Sequence, residues 1–264
     1  VMQHIYEANA GVKLSGKRDL WLDAGIFSSH IGFESAVGRD NWTLTRSLVA
    51  ENSPYYLAGA KLTYNTPNGK WTVLGAVVNG WQRIKRLDGL STPGLSTQLQ
   101  FRPTGSLTVN WSTYFGSDRP DSLRQRRMYH NLYTQFQQGK AGLILGFDIG
   151  SDRKPVINGK RTGEGAYTWL TPVAILRYRF SDKFRMAGRA EYFQDKHEVV
   201  ITTGTGGGFE TTGYSLNADY AITPQALWRI EVRQFHGKGT YFNDKAGTPS
   251  RLNTAITTSL SIQF

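Results

Sequence analysis

Apolar and polar residues alternate along the whole chain, and this feature constrains the fold more than any other. The pattern is clearest at the C-terminal end, where residues 252–264 place apolar side chains on one face and polar side chains on the other. A period of two residues is that of a β-strand. No stretch combines helical spacing with helix caps, so the sequence predicts an all-β protein.

Thirteen segments share this alternation. They span residues 4–15, 19–27, 55–66, 70–81, 95–102, 106–116, 128–138, 140–150, 166–180, 184–194, 208–220, 226–236 and 251–264. Most are longer than the roughly 5–6 residues typical of strands in soluble proteins. A tilted strand that crosses a membrane needs about 9–11 residues, and the segments fit that length.

The two faces of each segment differ in a way that indicates lipid on one side. The polar face carries Gln, Asn, Ser and charged residues, whereas the apolar face carries aromatic residues near the strand ends. Aromatic residues at both ends match the girdles at membrane–water interfaces. We therefore expect the apolar face to meet lipid and the polar face to point inward.

Short and long connections alternate strictly. Tight turns such as PNG and SDK follow the odd-numbered segments, and longer loops follow the even-numbered ones, the longest being 28–54. Transmembrane β-barrels have short periplasmic turns and long outer loops. The sequence thus predicts a transmembrane antiparallel up-and-down β-barrel, integral to the bacterial outer membrane, that forms a single domain over residues 1–264.

The odd number of segments predicts further strands. Single-chain bacterial barrels have even strand numbers, and the first segment ends in a short turn. We expect one or three strands to precede Val1, which gives 14 or 16 in the complete barrel. At the other end, the last strand resembles the C-terminal assembly signal of bacterial outer-membrane proteins through Leu260, Ile262 and Phe264, and implies the barrel-assembly machinery as a partner.

Charged residues on the polar faces are the candidate pore lining. The set contains Lys13, Lys61, Arg102, Arg177, Arg179, Arg185, Arg189, Glu191, Arg229, Glu231 and Arg233. The hairpin 166–194 is expected to bring its four arginines together on one wall. Such a wall would attract anions and predicts a weak anion preference. Alternatively, the arginines pair with Glu191, Glu231 and Asp219 across strands and stiffen the wall.

Loop 28–54 is the second candidate site because it mixes charges of both signs with aromatic residues. Its candidate residues are His30, Glu34, Arg39, Asp40, Trp42, Arg46 and Glu51. Loops longer than about 12–15 residues are usually functional or disordered, and the aromatic content argues against disorder. We expect a loop folded inward as a constriction. The alternative is a loop packed on the wall through Phe33, Trp42 and Leu44 with its charges solvated.

Other classes of function find little support in the sequence. The chain has no Cys, and its five His residues lack metal-binding spacing, so no metal or cofactor is expected. The net charge of +11 is not accompanied by a nucleic-acid-binding module. The basic outer loops 85–89 and 121–127 either contact acidic glycan or lipid phosphate, or are simply solvated.

A family resemblance agrees with this interpretation. The stretches MQHIYEANAGVKL and DLWLDAGIFSSHIGFESAVGRDNWTLTRSLVAENSPYYLAGAKLTY resemble OmpL-like β-barrel porins of Bacteroidota-type outer membranes, most strongly over residues 2–82. The resemblance implies additional N-terminal strands. We expect a passive pore for small hydrophilic solutes, anions among them, in contact with outer-membrane lipid and lipopolysaccharide. A barrel scaffold with a plugged lumen and a barrel enzyme are the alternatives; a homo-oligomer or a larger membrane complex are both compatible.

Overall fold

The computed structural model describes residues 5–263 and is dominated by β-strands. The strands are β1 Ala8–Lys13, β2 Asp19–Ser28, β3 Tyr56–Asn65, β4 Trp71–Val78, β5 Gly94–Thr104, β6 Leu107–Gly116, β7 Arg127–Gln138, β8 Ala141–Arg153, β9 Val156–Ile157, β10 Lys160–Arg161, β11 Ala166–Arg179, β12 Phe184–Asp195, β13 Phe209–Ala221, β14 Ala226–Gly237, β15 Phe242–Asn243, β16 Pro249–Ser250 and β17 Leu252–Ile262. One short helix, α1, spans Leu48–Glu51, and single 3-10 turns span Gly38–Asp40 and Asp121–Leu123.

The thirteen longer strands form one antiparallel sheet in chain order, from β1 to β8, then β11 to β14, then β17. The four remaining strands make two small hairpins, β9–β10 and β15–β16, inside the long connections. The predicted all-β fold, with thirteen strands joined to their neighbours in sequence, is confirmed. Among residues 5–263, no helix is long and apolar enough to cross a membrane.

Local differences from the sequence prediction concern the connections. Helix α1 was not predicted, because one turn of helix is too short to display a hydrophobic period. Its N-cap is Ser47, whose hydroxyl accepts a hydrogen bond from the backbone N–H of Ala50. The first strand is also shorter than the predicted segment 4–15, and residue 4 lies outside the described residues.

The apolar faces of the strands are the exposed ones, as β6 illustrates. The side chains of Val109 and Trp111 are 43% and 45% exposed, whereas the alternating Asn110 and Ser112 are buried. An apolar surface facing outward over a polar interior is the reverse of a soluble domain and is typical of a membrane barrel.

The contacts divide the chain into two compact units. Unit 1 contains the residues up to Gly32 together with Ser53–Tyr133 and Asp148–Thr168, and unit 2 contains Phe33–Asn52, Thr134–Phe147 and the residues from Trp169 onward. Most of the long loop thus belongs to unit 2. The apolar core of unit 2 consists of Trp42, Val49, Ile144, Val173, Ile175 and Ala187, with Phe33 packed against it.

Candidate functional site

The inner face of β12, β13 and β14 carries an ionic ladder in unit 2. Asp219 pairs in register with Arg185 on one side and Arg229 on the other. Its Oδ1 lies 2.7 Å from Arg229 Nε, and its Oδ2 lies 2.9 Å from Arg185 Nε. Strand alternation puts these side chains on one face, and the register brings opposite charges side by side.

A second group of ion pairs lies further along the same strands. The Nη2 group of Arg189 lies 3.0 Å from Glu231 Oε1, and its Nε lies 3.2 Å from Glu191 Oε1. Arg233 also binds Glu191 Oε1, at 2.7 Å. The side chains of Arg189, Glu191 and Glu231 are fully buried.

The two glutamates use their remaining oxygens to hold the backbone of loop 33–52. The N–H of Thr45 donates to Glu231 Oε2 at 2.5 Å, and the N–H of Leu48 donates to Glu191 Oε2 at 2.6 Å. Asn217 also accepts from the N–H of Leu44, at 3.0 Å. Loop amides therefore complete the hydrogen bonding of the wall carboxylates.

The arginines of the wall bind loop carbonyls in the same way. Arg229 donates to the carbonyl oxygens of Gly38 and Asn41 at 2.6 and 2.9 Å, and Arg189 donates to that of Thr45 at 2.6 Å. Buried charges are tolerated only when they are paired and their hydrogen bonds are satisfied. Backbone and hydroxyl groups of the loop supply many of these hydrogen bonds, so the wall and the loop form one structure.

Trp42 anchors the loop through apolar contacts. Its ring packs in the core of unit 2, and the guanidinium of Arg177 lies 4.1 Å from the ring centroid. Gly142 leaves room for the ring, because a Cβ there would stand only 2.5 Å from Trp42 Cη2. A Cβ at Gly146 would likewise stand 2.7 Å from Phe33 Cε1, so this glycine leaves room for the phenyl ring.

The loop also uses its own charges to hold its shape. Glu34 accepts hydrogen bonds from the N–H and the hydroxyl of Ser47, and burial raises the pKa of this carboxyl above its ordinary value. Arg46 donates to the carbonyls of Ser35 and Ala36, while its Nη1 lies 3.8 Å from Glu51 Oε1.

Arg39, next to Asp40 in the 3-10 turn, reaches the short turn between β13 and β14. Its guanidinium donates to the carbonyls of Pro224 and Gln225, each at 2.8 Å. Asp40 itself is exposed. The loop thus runs along the wall from its long-loop end to its short-turn end.

In unit 1, His30 belongs to a neutral polar network. Its Nε2 lies 2.8 Å from the hydroxyl of Ser96, which itself donates to the carbonyl of Thr113. The carbonyl of His30 accepts hydrogen bonds from Gln98 and Ser112. Burial, reinforced by the charge of Lys61, lowers the pKa of His30 to about 4.

Three candidate lining residues lie in unit 1 and are dispersed. Lys61 is 3.9 Å from Asp23 and 4.7 Å from the ring centroid of Phe27. Arg102 donates to the hydroxyl of Thr72 at 3.2 Å. Lys13 is exposed at the end of β1.

In unit 2, the register of β11 and β12 places four arginines on one face, as the hairpin 166–194 suggests. Arg179 stands opposite Arg185, Arg177 opposite Ala187, and Arg189 opposite Ile175. Arg177 donates to Gln137, whereas Arg179 is exposed. Two of the four, Arg185 and Arg189, are engaged by acids, so the acid-pairing alternative describes that part of the wall.

Of the C-terminal candidates, Leu260 and Ile262 are 55% and 57% exposed on β17, and Phe264 lies outside the described residues. The sequence did not point to Thr45, although its backbone and hydroxyl bind Arg189 and Glu231. Backbone donors carry no sequence signal. Within residues 5–263, no group of three or more His, Asp or Glu side chains is arranged to hold a metal ion.

Comparison with solved structures reveals the same fold in outer-membrane proteins, a porin and a channel among them. An anion-selective porin from Comamonas acidovorans aligns with a TM-score of 0.64 at 10% identity, covering 92% of this chain and 74% of the porin. The outer membrane channel DcaP of Acinetobacter baumannii aligns at 0.56 and 9% identity, covering 90% and 71% of the two chains. OmpT of Vibrio cholerae aligns at 0.55 and 12%, covering 91% and 74%.

No curated protein matches the sequence. A family model does, however, and it spans residues 1–264 under the description "Putative beta-barrel porin-2, OmpL-like". The thirteen-stranded antiparallel sheet, its apolar outer face and its polar inner face agree with that description. The chain therefore belongs to the OmpL-like β-barrel porin family and is an integral β-barrel protein of the outer membrane.

Proposed function

We propose that the protein is a passive channel for small hydrophilic solutes, narrowed by loop 28–54 and weakly selective for anions. Family membership supports channel function in general. The observation that supports the narrower proposal is the attachment of the loop to the polar inner face through Glu191, Glu231, Arg189 and Arg229. A loop held this way keeps a fixed position along the solute path.

Selectivity is proposed to come from the arginines at the short-turn end of the wall. The charges of Arg189 and Arg229 are largely balanced by acids and loop carbonyls, and they contribute little to the field felt by a solute. Arg179 is exposed, and Arg185 shares Asp219 with Arg229. A wall with more cations than anions raises the local anion concentration, but the acids present keep the preference small.

Planar-bilayer conductance of the intact, refolded protein tests this proposal. We expect discrete steps and a reversal potential under a salt gradient that indicates anion preference. Arg179→Gln combined with Arg185→Gln should shift the reversal potential toward cations. Lys17→Gln, which removes an exposed cation from the short turn between β1 and β2 in unit 1, is the matched control and should leave it unchanged.

A second candidate is a scaffold whose lumen the loop closes. The observation in its favour is that Arg39 extends the loop down to the turn at 224–225. Folded protein that does not conduct, but conducts once residues 36–46 are deleted, would support the scaffold and contradict the open channel. Neither candidate assigns a catalytic residue, and we propose a non-enzymatic role. Recognition of the last strand by the barrel-assembly machinery and homo-oligomer formation remain predictions.

A further inference from the structure

A cleft of about 600 Å³ lies at the long-loop ends of β5–β8, within unit 1. Its described lining residues are different from those of the loop and the wall discussed above. Its lining includes four arginines, Arg124, Arg126, Arg153 and Arg161, and the exposed apolar side chains of Leu95 and Phe115. Such a combination fits a ligand that is both anionic and apolar.

Among the described residues, the charges of two arginines in the cleft, Arg126 and Arg153, are not balanced by an ion pair. The backbone N–H of Arg153 donates to the carbonyl of Arg126 at 2.8 Å, so the two residues are neighbours across adjacent strands. Within residues 5–263, neither guanidinium forms an ion pair with an acid. Like charges in this arrangement destabilise a sheet, and an anion bound between them removes that cost.

Asp121, the one acid that lines the cleft, is committed elsewhere. Its Oδ2 accepts a hydrogen bond from the N–H of Ser91 at 2.9 Å, and this bonding lowers the pKa of the carboxyl. Asp121 is therefore ionised at neutral pH, but the four arginines among the described lining residues outnumber it, and the cleft keeps a net positive charge.

The apolar part of the cleft continues the lipid-facing surface. Leu95 and Phe115 are paired in register and are 52% and 45% exposed. They lie on the same faces of β5 and β6 as Leu99 and Trp111, which are also exposed. Alternation along β7 likewise puts Arg126 on the same side as the exposed Met128. The arginines thus stand where the apolar belt ends.

We propose that this cleft binds a phosphorylated glycolipid of the outer leaflet. Phosphate groups would accept charge-assisted hydrogen bonds from Arg126 and Arg153, and an acyl chain would cover Leu95 and Phe115. A free anion leaves the apolar pair uncovered, and an uncharged lipid leaves the arginines uncompensated. A phosphorylated lipid is the ligand that satisfies both halves of the cleft.

Native mass spectrometry of the intact protein, titrated in detergent with diphosphorylated lipid A, tests the proposal. We expect Arg126→Gln combined with Arg153→Gln to weaken binding about tenfold, the scale of losing charge-assisted hydrogen bonds. The matched control, Lys245→Gln combined with Arg251→Gln, removes two cations from the last long connection and should bind like the parent. Leu95→Ser should weaken lipid binding without altering the binding of inorganic phosphate.

Three results would overturn the proposal. The first is an affinity for dephosphorylated lipid A equal to that for diphosphorylated lipid A, and the second is an equal loss of binding in the control variant. The third is competition by inorganic phosphate at the concentration at which lipid A binds, because that result would identify a site for free anions. The unmodified protein provides a readout independent of variant folding. Its affinity for lipid A should fall as salt rises, because salt screens exposed charges, and a salt-independent affinity would contradict the role of the arginines.

Discussion

The polar interiors around His30 in unit 1 and along β12–β14 in unit 2 are built on different chemistry. In unit 1, the buried side chains around His30 are amides and hydroxyls, which satisfy one another across neighbouring strands. In unit 2, they are ions, and the ion pairs among strands leave lone pairs and N–H groups that bind backbone and hydroxyl groups of the loop. The neutral groups around His30 complete their network locally, whereas the buried charges along β12–β14 are completed by a separate loop segment.

Removing a buried cation from unit 2 should have the largest effect on stability. Arg189→Met leaves Glu231 without its ion-pair partner and Glu191 with Arg233 alone, and breaking a buried pair costs about 3–5 kcal/mol. The free energy of unfolding, from urea titration in lipid vesicles, measures this loss. Arg179→Met is the matched control, since Arg179 is exposed. A loss below about 1 kcal/mol for Arg189→Met would mean that the ladder does not hold the fold.

The next largest effect concerns pH and His30 in unit 1. Its pKa is about 4 in the folded state against an ordinary value of 6.5. Between these values the unfolded chain binds the proton and the folded chain does not, so stability falls as pH drops from 6.5 to 4. The loss reaches about 3 kcal/mol at 1.36 kcal/mol per pKa unit. His30→Gln should flatten this dependence in urea titrations, and an unchanged slope would refute the assignment.

Glu34 gives unit 2 the opposite dependence on pH. Burial raises its pKa above the ordinary 4.5, so the folded chain keeps a proton that the unfolded chain has lost. This contribution to stability is present at low pH and declines as pH rises through the raised value. In the same titrations, Glu34→Gln should make the protein lose more stability on acidification than the parent does. A smaller loss would contradict the buried setting of Glu34.

A hydroxyl in the neutral network around His30 should contribute less to the free energy of unfolding than a buried ion in unit 2. Ser112 donates to the carbonyl of His30 and accepts from Asn110. Ser112→Ala should reduce the free energy of unfolding by about 1 kcal/mol, the usual net value of a hydrogen bond, as measured by urea titration. The comparison variant is Thr108→Ala, which removes a hydroxyl from the same inward face of β6 nearer to the short turn. A loss equal to that of Arg189→Met would erase the distinction between the neutral network around His30 and the ionic wall.

The smallest effect is expected for the pair formed by Arg46 and Glu51. The atoms are 3.8 Å apart, and the side chain of Glu51 is 48% exposed. Glu51→Gln should change the free energy of unfolding by no more than about 0.5 kcal/mol, because exposed ion pairs contribute little. A double-mutant cycle with Arg46→Gln isolates the pair, and a coupling well above that value would make it part of the buried ladder.

Sequence alternation was sufficient to predict the sheet and its two faces, because every strand repeats the same constraint. The cross-strand pairing of Asp219 with Arg185 and Arg229 follows from the same register. The path of the loop could not be predicted from this alternation, because its contacts join backbone groups such as the N–H of Leu48 to carboxylates that are distant in sequence. Gly142 and Gly146 were the sequence signal for a docked loop, because they leave space for its rings on an inner face that otherwise carries Ile144 and Asp148.

The attachment of the loop also sets an order of events during folding. Loop residues 38–48 come early in the chain, whereas the groups that hold them follow some 143 to 191 residues later. The loop cannot dock until β12–β14 have paired, and contacts so distant in sequence form slowly. The segment that we propose to narrow the channel is therefore added only after the strands that hold it have paired.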